Sequence, residues 1–419
     1  MTSPERQMTI REVLRLRAVR PLWLAQVVSV FGDFLALFAV FSYASFRLGA
    51  SATQVTRISV AYIIPLAFIG PVAGVFVDRW NVKRTMIASD LIRAALALGL
   101  VFCHTLGQIY AVLFLLSVAS AFFIPAQTVT LRALFPPEAL LAANTLLQQA
   151  IQIMRIVSPA LAGALVGSFG AASCYYLDSL TFFFSALMIA MLTITHEIKP
   201  AAKGSHPLKS VLNELFEGGK FIFTHAIISF VIMAMAAGVF AISCFGPLIA
   251  VYVRDELHAT ALAYGMINAL IGVGMVAGTW LIGRVAQRLS QSHLMLAGLL
   301  TMGASVAVLG GFKSIPSASI SMFGVGVGFV FIFVSAQTLM QGQTPIELIG
   351  RVSSSLLSVI SIAQMIGLVF SGPLAQALGI RNLFYASAIM LLLMTVSGYL
   401  RIPKELTIRA GVTEQQPAD

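Results

Sequence analysis

The stretch GPVAGVFVDRWNVKRTMIASDLIRA (residues 70–94) joins two long apolar runs through a short basic turn. The run before the turn covers 54–77 and the run after it covers 85–103. Each approaches the ~20 residues that an α-helix needs to cross a bilayer. Arg79, Lys83 and Arg84 lie between them, where no separate domain could fit. Two membrane-length runs joined by a charged turn are typical of antiparallel spans in an integral membrane protein.

The composition of the whole chain agrees with this interpretation. Of its 419 residues, 58% are hydrophobic and 10% are charged, whereas a soluble domain carries about 25% charged residues. The net charge is +10, which by itself would be compatible with nucleic-acid binding. The basic residues form short clusters between apolar runs instead of one patch, so the charge pattern indicates membrane topology and no nucleic-acid partner.

Apolar runs of membrane-spanning length recur along the chain, six in each half. They cover 22–46, 54–77, 85–103, 109–131, 144–168, 172–195, 226–252, 260–283, 293–311, 317–342, 353–376 and 382–401. The segment SPALAGAL (158–165) is echoed by SGPLAQAL (371–378), as in transporters built from internal repeats. The sequence therefore predicts an all-α membrane protein whose 12 transmembrane helices form two pseudo-symmetric six-helix bundles.

The polar stretches divide the chain into four predicted regions. The N-terminal bundle covers 1–195 and the C-terminal bundle covers 223–402. A cytoplasmic linker, 196–222, contains leucines and a valine at helical spacing and is predicted to include an amphipathic surface helix. Residues 403–419 form a polar tail.

The distribution of Lys and Arg predicts the orientation of the chain. With the N-terminus in the cytoplasm, 19 of the 26 basic residues lie on the cytoplasmic side and five on the opposite side. Because cytoplasmic loops are enriched in Lys and Arg, we expect both termini in the cytoplasm and the protein in the cell inner (plasma) membrane.

Several classes of chemistry are not supported by the sequence. No nucleophile–base grouping and no metal-ligand cluster lies within the apolar runs, so neither an enzyme nor a cofactor is predicted. The glycine-rich GVGVGF (324–329) follows no strand and precedes no Lys-Ser or Lys-Thr, so it is not a phosphate-binding loop. Its glycines have the small-xxx-small spacing of close helix packing, as do Gly70/Gly74, Gly163/Gly167 and Gly274/Gly278.

The basic turn resembles the signature loop of the major facilitator superfamily. Gly74, Asp78, Arg79, Lys83 and Arg84 match that motif, whereas Asn81 stands where a second glycine is usual. The fragments DLIRA, FFIPAQ, ALLAANTLLQQ, SPALAG and GRVSSS are similar to the drug:proton antiporter branch that includes macrolide-efflux and siderophore-export proteins.

The resemblance implies a secondary transporter whose loop between helices two and three acts as a cytoplasmic gate. An alternative is that the loop only anchors the topology through its positive charge. Related efflux branches carry an Arg in helix four, but Tyr110–Leu131 contains no charge. Proton coupling therefore does not follow from that position.

A carboxylate inside the first apolar run indicates a functional position. Asp33 lies ~18 Å along the helix from Pro21, and Arg155 lies ~16 Å along helix five from Asn144, at 1.5 Å per residue. The two charges should be level near the midplane, where an ionisable side chain is costly. We expect Asp33 and Arg155 to form a pair in the central cavity, either a proton-dependent switch or a purely structural ion pair.

Polar residues inside other runs are candidates for the cavity wall. They lie on helices one, five, eight and eleven and could equally be hydrogen-bonding contacts between helices. These candidates are Gln26, Ser29, Gln148, Gln152, Asn268, Ser361 and Gln364.

The predicted function is the export of an amphipathic small molecule, drug-like or siderophore-like, by alternating access in antiport with protons. The predicted partners are the substrate, protons and the lipid bilayer, and the predicted state is a monomer. Phe31-Gly32-Asp33 also looks like the start of lysophospholipid transporters of the same superfamily, so a lipid facilitator is the alternative.

Overall fold

The structure is a computed structural model that describes residues 8, 10–13, 19–77, 79–193, 226–344 and 349–401. The described helices, numbered in chain order, have the following bounds. They are α1 (Ile10–Val13), α2 (Val19–Ser42), α3 (Ala52–Val77), α4 (Val82–Gly99), α5 (Leu106–Leu134), α6 (Pro137–Phe169), α7 (Ala171–Ala190), α8 (Ala226–Phe245), α9 (Ile249–Asp255), α10 (Ala261–Val285), α11 (Gln291–Gly311), α12 (Ile315–Gln343), α13 (Ile349–Leu378) and α14 (Ile380–Arg401).

Twelve of the helices in the described ranges are long and apolar enough to cross a membrane. Each lies on one of the twelve predicted runs, so the prediction of an all-α membrane protein with twelve spans is confirmed. Continuous helices are expected because a hydrocarbon environment offers no water to backbone N–H and C=O groups. The predicted linker 196–222 and the tail 403–419 lie outside the described residues.

The seventh predicted span is shorter than expected. The sequence predicts one helix over 226–252, but α8 ends at Phe245 and α9 begins at Ile249. The break contains Gly246 and Pro247. Proline has no backbone N–H and its ring clashes with the preceding turn, which favours a break here. The same Gly-Pro pair lies inside the continuous helices α3 (Gly70-Pro71) and α13 (Gly372-Pro373), so it does not force a break by itself.

The contacts divide the chain into two compact units. Unit 1 comprises Met1–Lys203 and Val253–Ala269. In it, α2 packs on α6 and α7, α4 packs on α5 and α7, and α3 packs on α5. An apolar cluster joins the ends of α2, α4, α5 and α6, and its buried members include Leu22, Met86, Phe123 and Leu146.

Unit 2 comprises Gly204–Tyr252 and Leu270–Asp419. Within it, α11 packs on α12 and α14, and α8 packs on α13. Glycines allow helices to approach closely: a Cβ on Gly328 would lie 2.7 Å from the carbonyl oxygen of Gly298, and one on Gly278 would lie 3.1 Å from the Cα of Val327.

The predicted glycine packing is therefore confirmed for Gly274/Gly278 and for Gly324/Gly328. It is not found at Gly70 and Gly74, where a Cβ would meet nothing within 4 Å in the described structure. The same spacing packs only where a second helix approaches that face.

Candidate functional site

A cluster of charged side chains lies inside unit 1, in the middle of three membrane-spanning helices. We call Asp33 on α2, Asp90 and Arg93 on α4, and Asp178 on α7 the charge cluster. Asp90, Arg93 and Asp178 are 0%, 4% and 1% exposed, whereas Asp33 is partly exposed. Asp33 is therefore the member of the cluster whose side chain retains the most accessible surface.

Arg93 is the cation of the charge cluster. Its Nη2 forms an ion pair with the Oδ1 atom of Asp90. The guanidinium also lies between two aromatic rings, with its central carbon 4.3 Å from the centroid of Phe123 and 4.4 Å from that of Phe182. A cation held against ring faces is stabilised by the ring quadrupole. This packing fixes the guanidinium inside the bundle.

The hydrogen bonding of this ion pair is incomplete. The Nε of Arg93 and the Oδ2 of Asp90 are buried, and neither has a hydrogen-bond partner among the described residues. Buried polar atoms of native proteins are almost always paired with protein groups or with water. The pair therefore has spare donor and acceptor capacity inside the bundle.

Asp33 interacts electrostatically with this pair. The charges of Arg93 and Asp90 act on its carboxylate, and its own charge acts on Asp178. If every group were ionised, three carboxylates would share one guanidinium in a buried site. The net charge of the cluster therefore depends on how many of its carboxylates hold a proton.

A glycine beside Asp33 makes this proximity possible. A Cβ on Gly32 would overlap the hydroxyl of Thr181 and would lie 3.1 Å from the Cα of Asp178. Only a residue without a side chain lets α2 approach α7 this closely. Thr181 donates a hydrogen bond to the carbonyl of Asp178 at 2.7 Å, within α7.

Arg155 contacts the chain neighbour of Asp33 instead of Asp33 itself. Its central guanidinium carbon is 5.8 Å from the centroid of the Phe34 ring, and its side chain is exposed. The expected pairing of Asp33 with Arg155 is not found among the contacts and charge interactions of the described residues. Asp33 and Phe34 are adjacent in the chain but are directed to different partners.

The other predicted cavity residues of α2 and α6 differ in their surroundings. Gln26 accepts a hydrogen bond from Nε2 of Gln127 at 2.6 Å. Ser29 is 2% exposed and Gln148 is exposed. Gln152 lies in α6, and its side chain is outside the described set. The partner Gln127 on α5 is the last residue of the FFIPAQ segment and is not among the predicted site residues.

The predicted cavity residues of the second half of the sequence are accessible. Asn268 is partly exposed, and Ser361 and Gln364 are exposed. The hydroxyl of Ser361 donates to the carbonyl of Leu357 at 2.8 Å, which satisfies it within α13.

The turn between α3 and α4 lies after Val77 and not at Gly74. Gly74 lies inside α3, which continues to Val77. The turn is closed by Asn81, whose side chain accepts a hydrogen bond from the backbone N–H of Arg84 at 3.0 Å and caps α4. Arg79 and Arg84 are exposed and Lys83 is partly exposed. Asp78 lies outside the described residues.

A second set of contacts in unit 1 involves the segment Val253–Ala269, which we call the returning segment. Nη1 of Arg254 donates hydrogen bonds to the carbonyls of Ser45 and Ala50, the latter at 3.0 Å. Ser45 belongs to the π-helical turn Tyr43–Arg47 that extends α2. The returning segment thereby supplies donors to carbonyls at the end of α2.

Comparison with known proteins identifies the family. A sequence profile of the transmembrane secretion effector family, a branch of the major facilitator superfamily, matches residues 12–411. The chain belongs to this family.

The transporter contains no group of three or more His, Cys, Asp or Glu residues suited to a metal within the described ranges.

Its curated relatives include proteins with efflux functions in their names. It is 25% identical to macrolide efflux protein A of Streptococcus pyogenes, over 90% of this chain and 93% of that protein. It is 27% identical to the multidrug efflux pump Tap of Mycolicibacterium fortuitum, over 85% and 90%. It is 26% identical to the MFS-type transporter YfiS of Bacillus subtilis strain 168, over 88% and 89%.

Solved structures show the same fold at low sequence identity. The nucleoside transporter NupG matches with a TM-score of 0.73 and 12% identity, over 92% of this chain and 100% of that one. A bacterial homologue of the human lysosomal transporter Spinster matches with a TM-score of 0.71 and 13% identity, over 96% and 99%. The transporter is a multi-pass membrane protein, and its family and relatives are membrane transporters rather than enzymes.

Proposed function

We propose that this chain is a secondary active transporter that exports amphipathic small molecules by alternating access in exchange for protons. In this proposal it works as a monomer in the plasma membrane with both termini in the cytoplasm. The charge distribution supports the orientation, because 19 of the 26 basic residues then lie inside. The names of the macrolide and multidrug efflux relatives support export.

The observation that carries the proton coupling is the charge cluster. It contains three carboxylates and one guanidinium, and only Asp33 among them is partly exposed. Protonation of Asp33 would remove a negative charge that Asp90 and Asp178 oppose and that Arg93 attracts. The protonation state of Asp33 therefore changes the forces between α2, α4 and α7.

Such a change can be coupled to transport. A proton that favours one state of the transporter must, by linkage, alter the affinity for the substrate if the substrate favours the other state. We propose that Asp33 is protonated from one side of the membrane and deprotonated towards the other. Arg93 would stabilise the ionised carboxylate of Asp33. In an alternative role the cluster only fixes the packing of the bundle.

The lysophospholipid alternative receives no support from the relatives reported above. The Phe31-Gly32-Asp33 segment that suggested it has a local explanation. Gly32 provides the close approach of α2 to α7, and Asp33 belongs to the charge cluster.

The test is transport in proteoliposomes with an imposed pH gradient and a panel of amphipathic compounds that includes a lysolipid. We expect substrate movement against its gradient by the wild-type protein. The Asp33→Asn variant should lose gradient-driven transport but retain exchange between substrate pools. Glu138→Gln, at the start of α6, is the matched carboxylate-to-amide control and should behave like wild type.

Two results would contradict the proposal. Full gradient-driven transport by Asp33→Asn would leave the cluster with a structural role. Equilibration without accumulation of every compound by the wild-type protein would indicate a facilitator.

A further inference from the structure

We propose that Arg155 and Phe34 form a contact site for an acidic group on the substrate, so that the transporter selects amphipathic molecules that carry a carboxylate or a phosphate. This inference rests on the proposed export function and names the class of substrate. It comes from the position of Arg155, from the absence of a counter-charge among the described residues, and from the Phe34 ring beside it.

Arg155 lies near the middle of a membrane-spanning helix. The span covers Glu138–Phe169, and Arg155 is 17 positions after its start, or ~26 Å at 1.5 Å per residue. Phe169, at the other end of the span, is 14 positions further on, or ~21 Å. The guanidinium therefore lies near the centre of a helix that is longer than the ~30 Å hydrocarbon core, far from the lipid headgroups on either side. Its insertion costs at least ~2.5–3.5 kcal/mol unless it faces protein or water.

No protein group compensates this charge among the described residues. Arg155 has no ion pair and no hydrogen bond there. Its guanidinium is instead in cation–π contact with the ring of Phe34. Asp33, the neighbouring carboxylate, interacts with Arg93, Asp90 and Asp178 instead. A mid-span cation that is exposed and unpaired has its donors available to a ligand.

The chemistry of the two side chains specifies what they can bind. A guanidinium presents a planar fork of donors that matches the two oxygens of a carboxylate or phosphate. Phe34 is partly exposed beside it and offers an apolar surface to the body of the same molecule. A substrate with a positive charge at this position would be repelled by Arg155.

The test uses three probes with one apolar body: pyrenebutyric acid, pyrenebutanol and pyrenebutylamine. Binding to the full-length protein in lipid nanodiscs is measured by fluorescence at constant pH, followed by counterflow transport in proteoliposomes. We expect the wild-type protein to bind the acid about tenfold more tightly than the amine, as for a charge-assisted hydrogen bond.

The variants separate charge from geometry. Arg155→Gln should weaken binding of the acid about tenfold and leave binding of the alcohol within about twofold. Arg155→Lys keeps the charge without the planar fork of donors. Its affinity for the acid should lie between those of the wild-type protein and Arg155→Gln. Phe34→Leu should weaken all three probes to a similar degree. Arg132→Gln, an exposed arginine at the end of α5, is the matched control and should change nothing.

The outcomes distinguish this inference from the proposed function. Tighter binding of the amine than of the acid, with no effect of Arg155→Gln or Arg155→Lys, would overturn the acidic site while leaving proton-driven export intact. The expected selectivity without any response to a pH gradient would support the acidic site and contradict the proton coupling.

Discussion

The ring of Tyr264 stacks on the ring of Phe38, with centroids 4.4 Å apart and planes inclined by 13°. Tyr264 belongs to the returning segment, and Phe38 lies on α2. The same segment brings Arg254 to carbonyls of the turn that follows α2 and Gly265 to Gly163 on α6. Aromatic, polar and backbone contacts therefore hold the returning segment against the rest of unit 1.

The first prediction concerns Arg254. Replacement by Gln should remove the donors to the carbonyls of Ser45 and Ala50, which would then lose their charged partner. Hydrogen bonds to charged groups contribute about 1.5–3 kcal/mol. We expect the backbone amides of Leu48 and Ala50, which bond to Tyr43 and Ala44, to exchange about tenfold faster by hydrogen-exchange mass spectrometry.

Arg47→Gln provides the comparison for this experiment. Arg47 is exposed on the same turn, and its loss should leave the exchange rates unchanged. Equal rates in wild type and Arg254→Gln would show that these bonds do not stabilise the turn.

The second prediction concerns the contact between Gly163 and Gly265. A Cβ on Gly163 would lie 2.7 Å from the Cα of Gly265, so Gly163→Ala must separate α6 from the returning segment. We expect a lower yield of disulfide between cysteines introduced at positions 38 and 264 in a background without native cysteines. Gly107→Ala is the control, since a Cβ there meets nothing within 4 Å. An unchanged yield would show that the two helices can part without disturbing the aromatic stack.

The third prediction concerns Gly32. The added methyl group of Gly32→Ala would overlap Thr181 and Asp178, and overpacking of this kind costs about 1–3 kcal/mol. We expect a lower melting temperature in detergent and weaker pH-gradient-driven transport, because Asp33 would move away from Asp178. Gly70→Ala, in the open part of α3, should be neutral or stabilising. A Gly32→Ala protein with wild-type melting would contradict the close packing of α2 on α7.

The fourth prediction concerns the buried ion pair. Arg93→Gln would leave Asp90, which is 0% exposed, without its counter-ion. Removing one partner of a buried pair costs about 3–5 kcal/mol, so we expect a strong loss of thermal stability. The double variant Arg93→Gln/Asp90→Asn has no uncompensated charge at this pair and should recover much of the loss.

The thermal stabilities of wild type, the two single variants and the double variant form a cycle that isolates the pair. Arg84→Gln, an exposed position on the same helix, should be neutral. Losses that simply add in the double variant would show that Asp90 and Arg93 are not energetically coupled.

The local sequence was sufficient to place the membrane spans. All twelve predicted runs lie on long helices of the described structure, because apolar length and the need to satisfy backbone hydrogen bonds are properties of each segment alone. The interruption at Gly246-Pro247 differs in this respect. Gly70-Pro71 and Gly372-Pro373 lie inside continuous helices, so the Gly-Pro pair alone does not predict a break.

The partners of the charged residues depended on tertiary structure. Counting residues places Asp33 and Arg155 at similar depths, since the rise per residue is fixed. Which way each side chain points depends on how a helix is rotated against its neighbours, and one residue changes that direction by about 100°. Gly32 brings α2 against α7, so Asp33 joins Asp178, Asp90 and Arg93, while Arg155 is left beside Phe34.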